Sequence, residues 1–262
     1  MQTPGFDVVD YIALVVFFGA WITHDFIVQR HPWRERTLSG HMIAYRRQWI
    51  ENMIRRDPKM LDVLVQSTLQ QGVLFFASTS ILLIGALMAG LGAADKALNV
   101  LNDLPITGIT TRREWELKIL LSTLIFVYAF FKFAWSYRLF NYFVIMIGAA
   151  PDTSRDDTLP DDDDIANHAN RISEVHTLAA RHFTAGVNAY FWALAVISWF
   201  ISAWLFLAAT AWVFLVLYRR AFRSRTLAIL NASPMNPNRK RKPTSIQEES
   251  PNREPHPNQQ GQ

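Results

Sequence analysis

The chain has 262 residues, half of them apolar and 13% aromatic, with only 18% charged, a formal net charge of +4 and no cysteine. Globular domains carry about 25% charge, yet the mean hydropathy here is only +0.08, so polar and apolar residues must be segregated along the chain. The lack of cysteine excludes a disulfide framework, a thiolate nucleophile and any thiolate-ligated metal or iron–sulfur centre.

Four hydrophobic blocks stand out, at 8–28, 69–94, 117–150 and 183–218, and the twelve prolines avoid all of them. Uninterrupted helices require that placement, because a mid-helix proline loses a hydrogen bond and clashes with the preceding turn. Stretches 63–94 and 183–218 contain no charged residue, and a bilayer-spanning helix needs roughly 20 such residues. Short alternating segments of the kind that build membrane β-barrels are not visible. The expected fold is an all-α integral membrane protein.

The first block follows Asp7 and Asp10 and runs into Arg30, Arg34 and Arg36. That is the reverse of a basic signal-peptide start. Positive charge stays cytoplasmic, so this helix is expected to insert with its N-terminus outside. The next stretch, 41–62, places Met42, Tyr45, Trp49 and Met53 on one helical face with Arg46, Arg47, Arg55 and Arg56 interleaved, and Ser39 is available as a cap. This pattern predicts an amphipathic interfacial helix, its aromatic face in the acyl boundary and its arginines on anionic lipid head groups. In the second block Gly85/Ala89 and Ala86/Gly90 lie four apart, the spacing of closely packed membrane helices.

The third block is the most unusual, with ten aromatics among residues 126–143 and Lys132 and Arg138 inside it. Charges at that depth cost roughly 2.5–3.5 kcal/mol on insertion scales and usually serve a purpose. Lys132 is expected to snorkel over Trp135 and Ser136 or to pair with Asp25, Asp62 or Glu174, and Arg138 to reach Asn141; an anion-binding role is the alternative. Residues 152–164 read as a solvated acidic loop, and 165–186 as an amphipathic helix bearing His168, His176, His182 and Glu174. None of these makes a metal-ligand pair, and no nucleophile elbow, Walker or dinucleotide loop occurs, so no catalytic residue, cofactor or metal is expected.

The fourth block, 36 uncharged residues long, would make one helix of about 54 Å against a hydrocarbon core of roughly 30 Å. Lys and Arg number eight in 29–62, four in 95–118, three in 151–182 and nine from Arg219 onward. A break near Ile201, Ser202 and Ala203 gathers the groups of eight, three and nine on one side, so five passes with a cytoplasmic C-terminus are favoured over four. Residues 1–230 then form the membrane domain. Residues 231–262, rich in Pro, Asn, Gln, Arg and Glu, read as a disordered basic tail, whose RKRK run at 239–242 points to anionic lipid rather than nucleic acid.

Several segments together resemble an uncharacterised bacterial multi-pass membrane family, the domain of unknown function numbered 599. They are MIAYRRQWIENMIRRD at 42–57, FFASTSILLIGAL at 75–87, ELKILL at 116–121, FVYAFFKFAWSYRLFNY at 126–142, RHFTAGVNAYFWALA at 181–195 and VLYRRAFRS at 216–224. The resemblance implies a bacterial inner-membrane location and makes Arg46, Lys132, Arg138, Asn141 and His182 candidate ligand or ion-pair residues. Asn188 stands where the family tends to have Arg, and Ala221 where it tends to have Glu. The expected function is non-enzymatic: a transporter-like protein or membrane-complex component that binds a small anionic or amphipathic ligand, with the bilayer and a homo-oligomer or membrane-protein partner as its contacts. The alternative is a membrane-embedded enzyme acting on lipid head groups through His182 and Glu174.

Overall fold

The computed structural model describes residues 6–29, 37–54, 59–102, 111–150 and 162–223, together with 225, 226 and 229. Among these the chain is helical throughout: α1 Val8–Gln29, α2 Leu38–Ile54, α3 Met60–Gly92, α4 Ala94–Asn102, α5 Arg112–Gly148, α6 Asp162–Ser198 and α7 Ala203–Phe222. Four stretches, Val8–Ile27, Met60–Gly92, Arg112–Gly148 and Ala203–Phe222, are long and apolar enough to cross a membrane. Their outward faces carry large apolar side chains: Val15, Leu82, Phe131 and Trp212 are between 64% and 73% exposed. Acyl chains solvate such a surface at no cost, whereas water does not. This is an all-α membrane protein.

α6 differs from the four because its first half is polar. Beyond Phe183 it is apolar, exposing Leu194 and Ile197 outward while burying Ala189, Trp192, Ala193 and Val196. It ends at Ser198, and the reversal into α7 needs neither Gly nor Pro. The amides of Trp199, Phe200 and Ile201 donate to the carbonyls three residues back, at 3.0, 3.2 and 3.1 Å. Ser202, in extended backbone, then caps α7 by accepting from the Leu205 amide at 3.1 Å. The long apolar block is thus broken at the corner that charge placement and helix length require.

Two cores result. The larger gathers Phe17 of α1, Val73 of α3, Phe126 and Phe133 of α5, Trp192 of α6, Trp199 of the following turn and Phe206 of α7. The smaller packs Ile50, Met53 and Ile54 of α2 against Phe143 and Ile147 of α5 and Ile165, Ala169 and Ile172 of α6. α5 and α6, each 37 residues and so about 55 Å long, run through both. Thr111 starts α5 as a cap, accepting from the Glu114 amide at 3.3 Å. Within the larger core α5 and α6 approach closely at Gly186, where an added Cβ would lie 2.6 Å from the Phe133 ring. That ring has no room to retreat, being stacked on Phe76 and flanked by Phe183 and Tyr190. Nearby, Ser136 donates to the Ala179 carbonyl at 2.8 Å.

Several expectations change. The Met53 end of the α2 face is buried in protein rather than in the acyl boundary, and the Trp49 indole donates to Asp62 at 2.7 Å. Thr37 rather than Ser39 caps α2, accepting from the Gly40 amide at 3.2 Å. α3 begins at Met60, nine residues before its apolar block, because Asp62 and Gln66 are buried against neighbouring helices instead of lying in a loop. α6 begins at Asp162, inside the stretch expected to be a loop, and the carboxylates of Asp163 and Asp164 in its first turn favour the positive end of the helix dipole. Gly85, Ala86 and Ala89 are exposed, and of that small-residue stripe Gly90 meets α5, beside Ile119 and accepting from the Trp115 indole at 3.2 Å. α4 was not anticipated. The 231–262 tail and the acidic stretch 152–161 lie outside the described residues.

The Gly186 contact yields a paired test. Gly186→Val should destabilise the detergent-solubilised protein by about 2 kcal/mol through overpacking. The same change at Gly85, where a Cβ meets nothing within 4 Å, should leave the melting temperature unaltered.

Candidate functional site

A cavity of about 200 Å3 opens where the two cores meet, bounded by α1, the start of α2, the middle of α5 and α6. Among the described residues three cations line it, Arg46 of α2, Lys132 of α5 and Arg181 of α6, with Asp25 of α1 as the single carboxylate. Among the described residues none of the three cations has a carboxylate within ion-pair distance. The site therefore holds more positive charge than it compensates.

Each residue arrives by a separate route. Lys132 lies about 30 Å along α5 from Arg112, one bilayer core thickness into the helix. Its ammonium points back over the Tyr128 ring at 5.1 Å, following the tilt of helical side chains toward the N-terminus. It does not snorkel over Trp135; Ser136, turned to the opposite purpose, bonds α6. Arg46 enters from α2, whose capped N-terminus brings Thr37 and Ser39 to the same cavity, so the positive end of that helix faces it too. α6 supplies Thr177, Arg181, Thr184 and Asn188. Their spacing of four, three and four residues is one face of a helix.

Of the five residues expected from the sequence, Arg46, Lys132 and His182 line this cavity and Arg138 and Asn141 do not. Arg138 is exposed, donates to the Tyr142 hydroxyl at 2.7 Å and stacks over Trp135 and Tyr142. Asn141 accepts from the Gln70 side chain at 3.1 Å and does not receive Arg138. Of the three proposed acidic partners only Asp25 is in the cavity. Asp62 is held by Trp49, and Glu174 is exposed on α6. Arg181, Thr177 and Thr184 were passed over in the sequence. The signal that would have found them is a polar stripe running from the amphipathic half of α6 into its apolar half.

Electrostatics follow from this placement. Burial pulls the Arg46 guanidinium below its ordinary value, though far too little chemistry exists at neutral pH to discharge it. The His182 imidazole is pushed down by burial and by Lys132, which keeps it neutral and able both to donate and to accept a hydrogen bond. The cavity can therefore offer charge from three side chains and hydrogen bonds from hydroxyls, an amide and an imidazole. Among the described residues no group of three or more His, Asp or Glu side chains is placed to hold a metal ion.

The chain matches the family described as "Protein of unknown function, DUF599" over residues 12–226. It belongs to that family. No curated protein and no solved structure matches the chain. The DUF599 region takes in the spanning helices from Ile12 onward and every residue of the cavity. Asn188, where the resemblance leads one to expect Arg, is among the cavity residues, so this DUF599 protein carries one cation fewer there than that pattern implies.

Next to the cavity, His176 sits beneath Trp49 and between Phe140 and Phe143, its ring 4.7 Å from that of Phe143. Burial, then the Arg46 charge, holds its pKa down to about 3 from an ordinary 6.5. Below pH 6.5 the unfolded chain takes up a proton that the folded one refuses, so stability should fall as pH drops from about 6.5 toward 3 and be independent of this group above that window. His176→Phe should flatten that part of a melting-temperature profile; an unchanged acid slope would show that His176 is not its source.

Proposed function

We propose that this DUF599 protein is a multi-pass protein of the bacterial cytoplasmic membrane that binds an anionic group in the Arg46–Lys132–Arg181 cavity, and that it carries or presents this ligand rather than transforming it. The observation that carries the proposal is that, among the described residues, three cations converge on one cavity against a single carboxylate. Such an arrangement is costly in a membrane protein unless an anion is there part of the time. Neutral His182 and the α6 hydroxyls add hydrogen bonds of the kind a phosphate or carboxylate accepts. The head-group enzyme would need His182 and Glu174 to act together. Eight residues put them about 12 Å apart along α6, and Glu174 is outside the cavity.

The helix order supports five passes. Asp10 at the start of α1 meets Trp199 at the end of α6, with the indole donating at 2.7 Å, and Gly90 at the end of α3 meets Trp115 at the start of α5. The group of charges at 95–118 therefore falls at one end of the bundle, and α2, the start of α6 and the end of α7 fall at the other. By the positive-inside rule the cavity end is cytoplasmic and the N-terminus is outside. A C-terminal reporter active only in the cytoplasm should work when fused to the full chain; activity from an exported-only reporter would exclude five passes.

Binding is tested on the intact protein in detergent with inorganic phosphate as probe. Saturating phosphate should raise the melting temperature by about 5 °C. Lys132→Met and Arg46→Gln should each abolish the rise, and Arg138→Gln, outside the cavity, should preserve it. A rise that survives Lys132→Met would remove the cavity from consideration.

A further inference from the structure

A second, larger space lies between α1 and α5, about 690 Å3 in volume and lined almost wholly by apolar side chains, among them Phe18, Ile22, Leu124 and Ile125. It arises because α1 packs chiefly on α7 and leaves α5 at a distance. Phe17 meets Phe206 and Trp192, whereas among the described residues α1 touches α5 through rings only where Trp21 meets Tyr128 at 5.6 Å. The groove runs from Phe18 to Phe26 on α1 and from Leu121 to Tyr128 on α5, or about 10–12 Å along the helices.

The groove and the cationic cavity share Asp25. Tyr128, at the end of the groove, lies directly under the Lys132 ammonium that lines the cavity. Read along the bilayer normal, the two spaces therefore present an apolar slot, one carboxylate, and then three cations. Each stage has a chemical complement. A hydrocarbon chain fills the slot, a hydroxyl donates to the Asp25 carboxylate, and a phosphate meets Lys132, Arg46 and Arg181. A free phosphate would use only the last stage and would leave the slot to bulk lipid.

We infer that the ligand is a single-chain lipid phosphate, its acyl chain in the α1–α5 groove, a hydroxyl beside its ester at Asp25 and its phosphate in the cationic cavity. This rests on the anion site proposed above and adds the chain. Asp25 also sets the polarity of entry: it repels a phosphate that stops short of the cations, so the head group seats fully or not at all. Such a lipid would enter sideways from the leaflet on the cavity side, since the groove opens outward between two helices rather than along the bundle axis.

The experiment uses the full chain in detergent and native mass spectrometry of one-to-one adducts, with oleoyl lysophosphatidic acid, oleoyl lysophosphatidylcholine and glycerol 3-phosphate as probes. Oleoyl lysophosphatidic acid should bind at least tenfold more tightly than either of the others. Leu124→Trp, which fills the groove from its lipid side, should bring its affinity down to that of glycerol 3-phosphate without changing glycerol 3-phosphate binding, which also shows that the variant is folded. Lys132→Met should weaken the two phosphate monoesters, oleoyl lysophosphatidic acid and glycerol 3-phosphate. Equal binding of glycerol 3-phosphate and oleoyl lysophosphatidic acid by the unaltered protein would overturn the chain assignment and leave the anion site standing. Equal binding of the two lysolipids would overturn the role of the cations in lipid choice, and no binding of either phosphate monoester would overturn both proposals.

Discussion

The close approach of α5 to α6 is the contact on which the remaining geometry depends. Gly186 lets the Phe133 ring lie against the α6 backbone, and Ser136 ties the same two helices by donating to Ala179. Lys132 immediately precedes Phe133, and His182 lies one turn before Gly186. The packing that brings the two backbones together therefore also fixes the side chains of Lys132 and His182 at one cavity. Both helices continue through the larger core and the smaller one, so the same pair sets the spacing of the two cores.

A membrane protein lacks the hydrophobic drive between spanning helices that water supplies, and relies on tight packing and hydrogen bonds instead. This chain uses interlocked aromatics. Phe76, Phe133, Phe183 and Tyr190 form one cluster across α3, α5 and α6, and the Tyr190 hydroxyl meets Ser80 at 3.0 Å. Phe17, Trp21, Trp192, Trp199 and Phe206 form another across α1, α6 and α7. The two clusters leave α1 and α5 apart, which is how a groove can open between them in an otherwise dense bundle. At the far end Asp10, Trp199 and Lys118 close the fold through a 2.7 Å hydrogen bond and a cation over the indole ring at 5.3 Å.

The excess of charge in the cavity has a stability side as well. Arg46, Lys132 and Arg181 repel one another, and the neutral state of His182 and His176 keeps that repulsion from growing at neutral pH. The anion proposed above would relieve it, and its binding would then be coupled to the stability of the α1–α2–α5–α6 junction.

Much of this was legible in the sequence because lipid solvation is written in composition. Uncharged runs longer than a bilayer core, prolines confined to connections, and a final block too long for one helix fixed the helical membrane class and the corner that Ser202 now caps. Lys132 and Arg46 stood out for the same reason, as charges where charges are expensive. Periodicity could not say which neighbour each face would meet. The Met53 end of α2 lies on α5 and α6 instead of lipid, Arg138 turns outward to Tyr142, and Asp25, Arg181 and Asn188 join Lys132 from helices distant in the chain. Those partnerships depend on crossing angles and on a groove left by aromatic packing elsewhere, which are properties of several helices at once and are encoded in no single stretch of sequence.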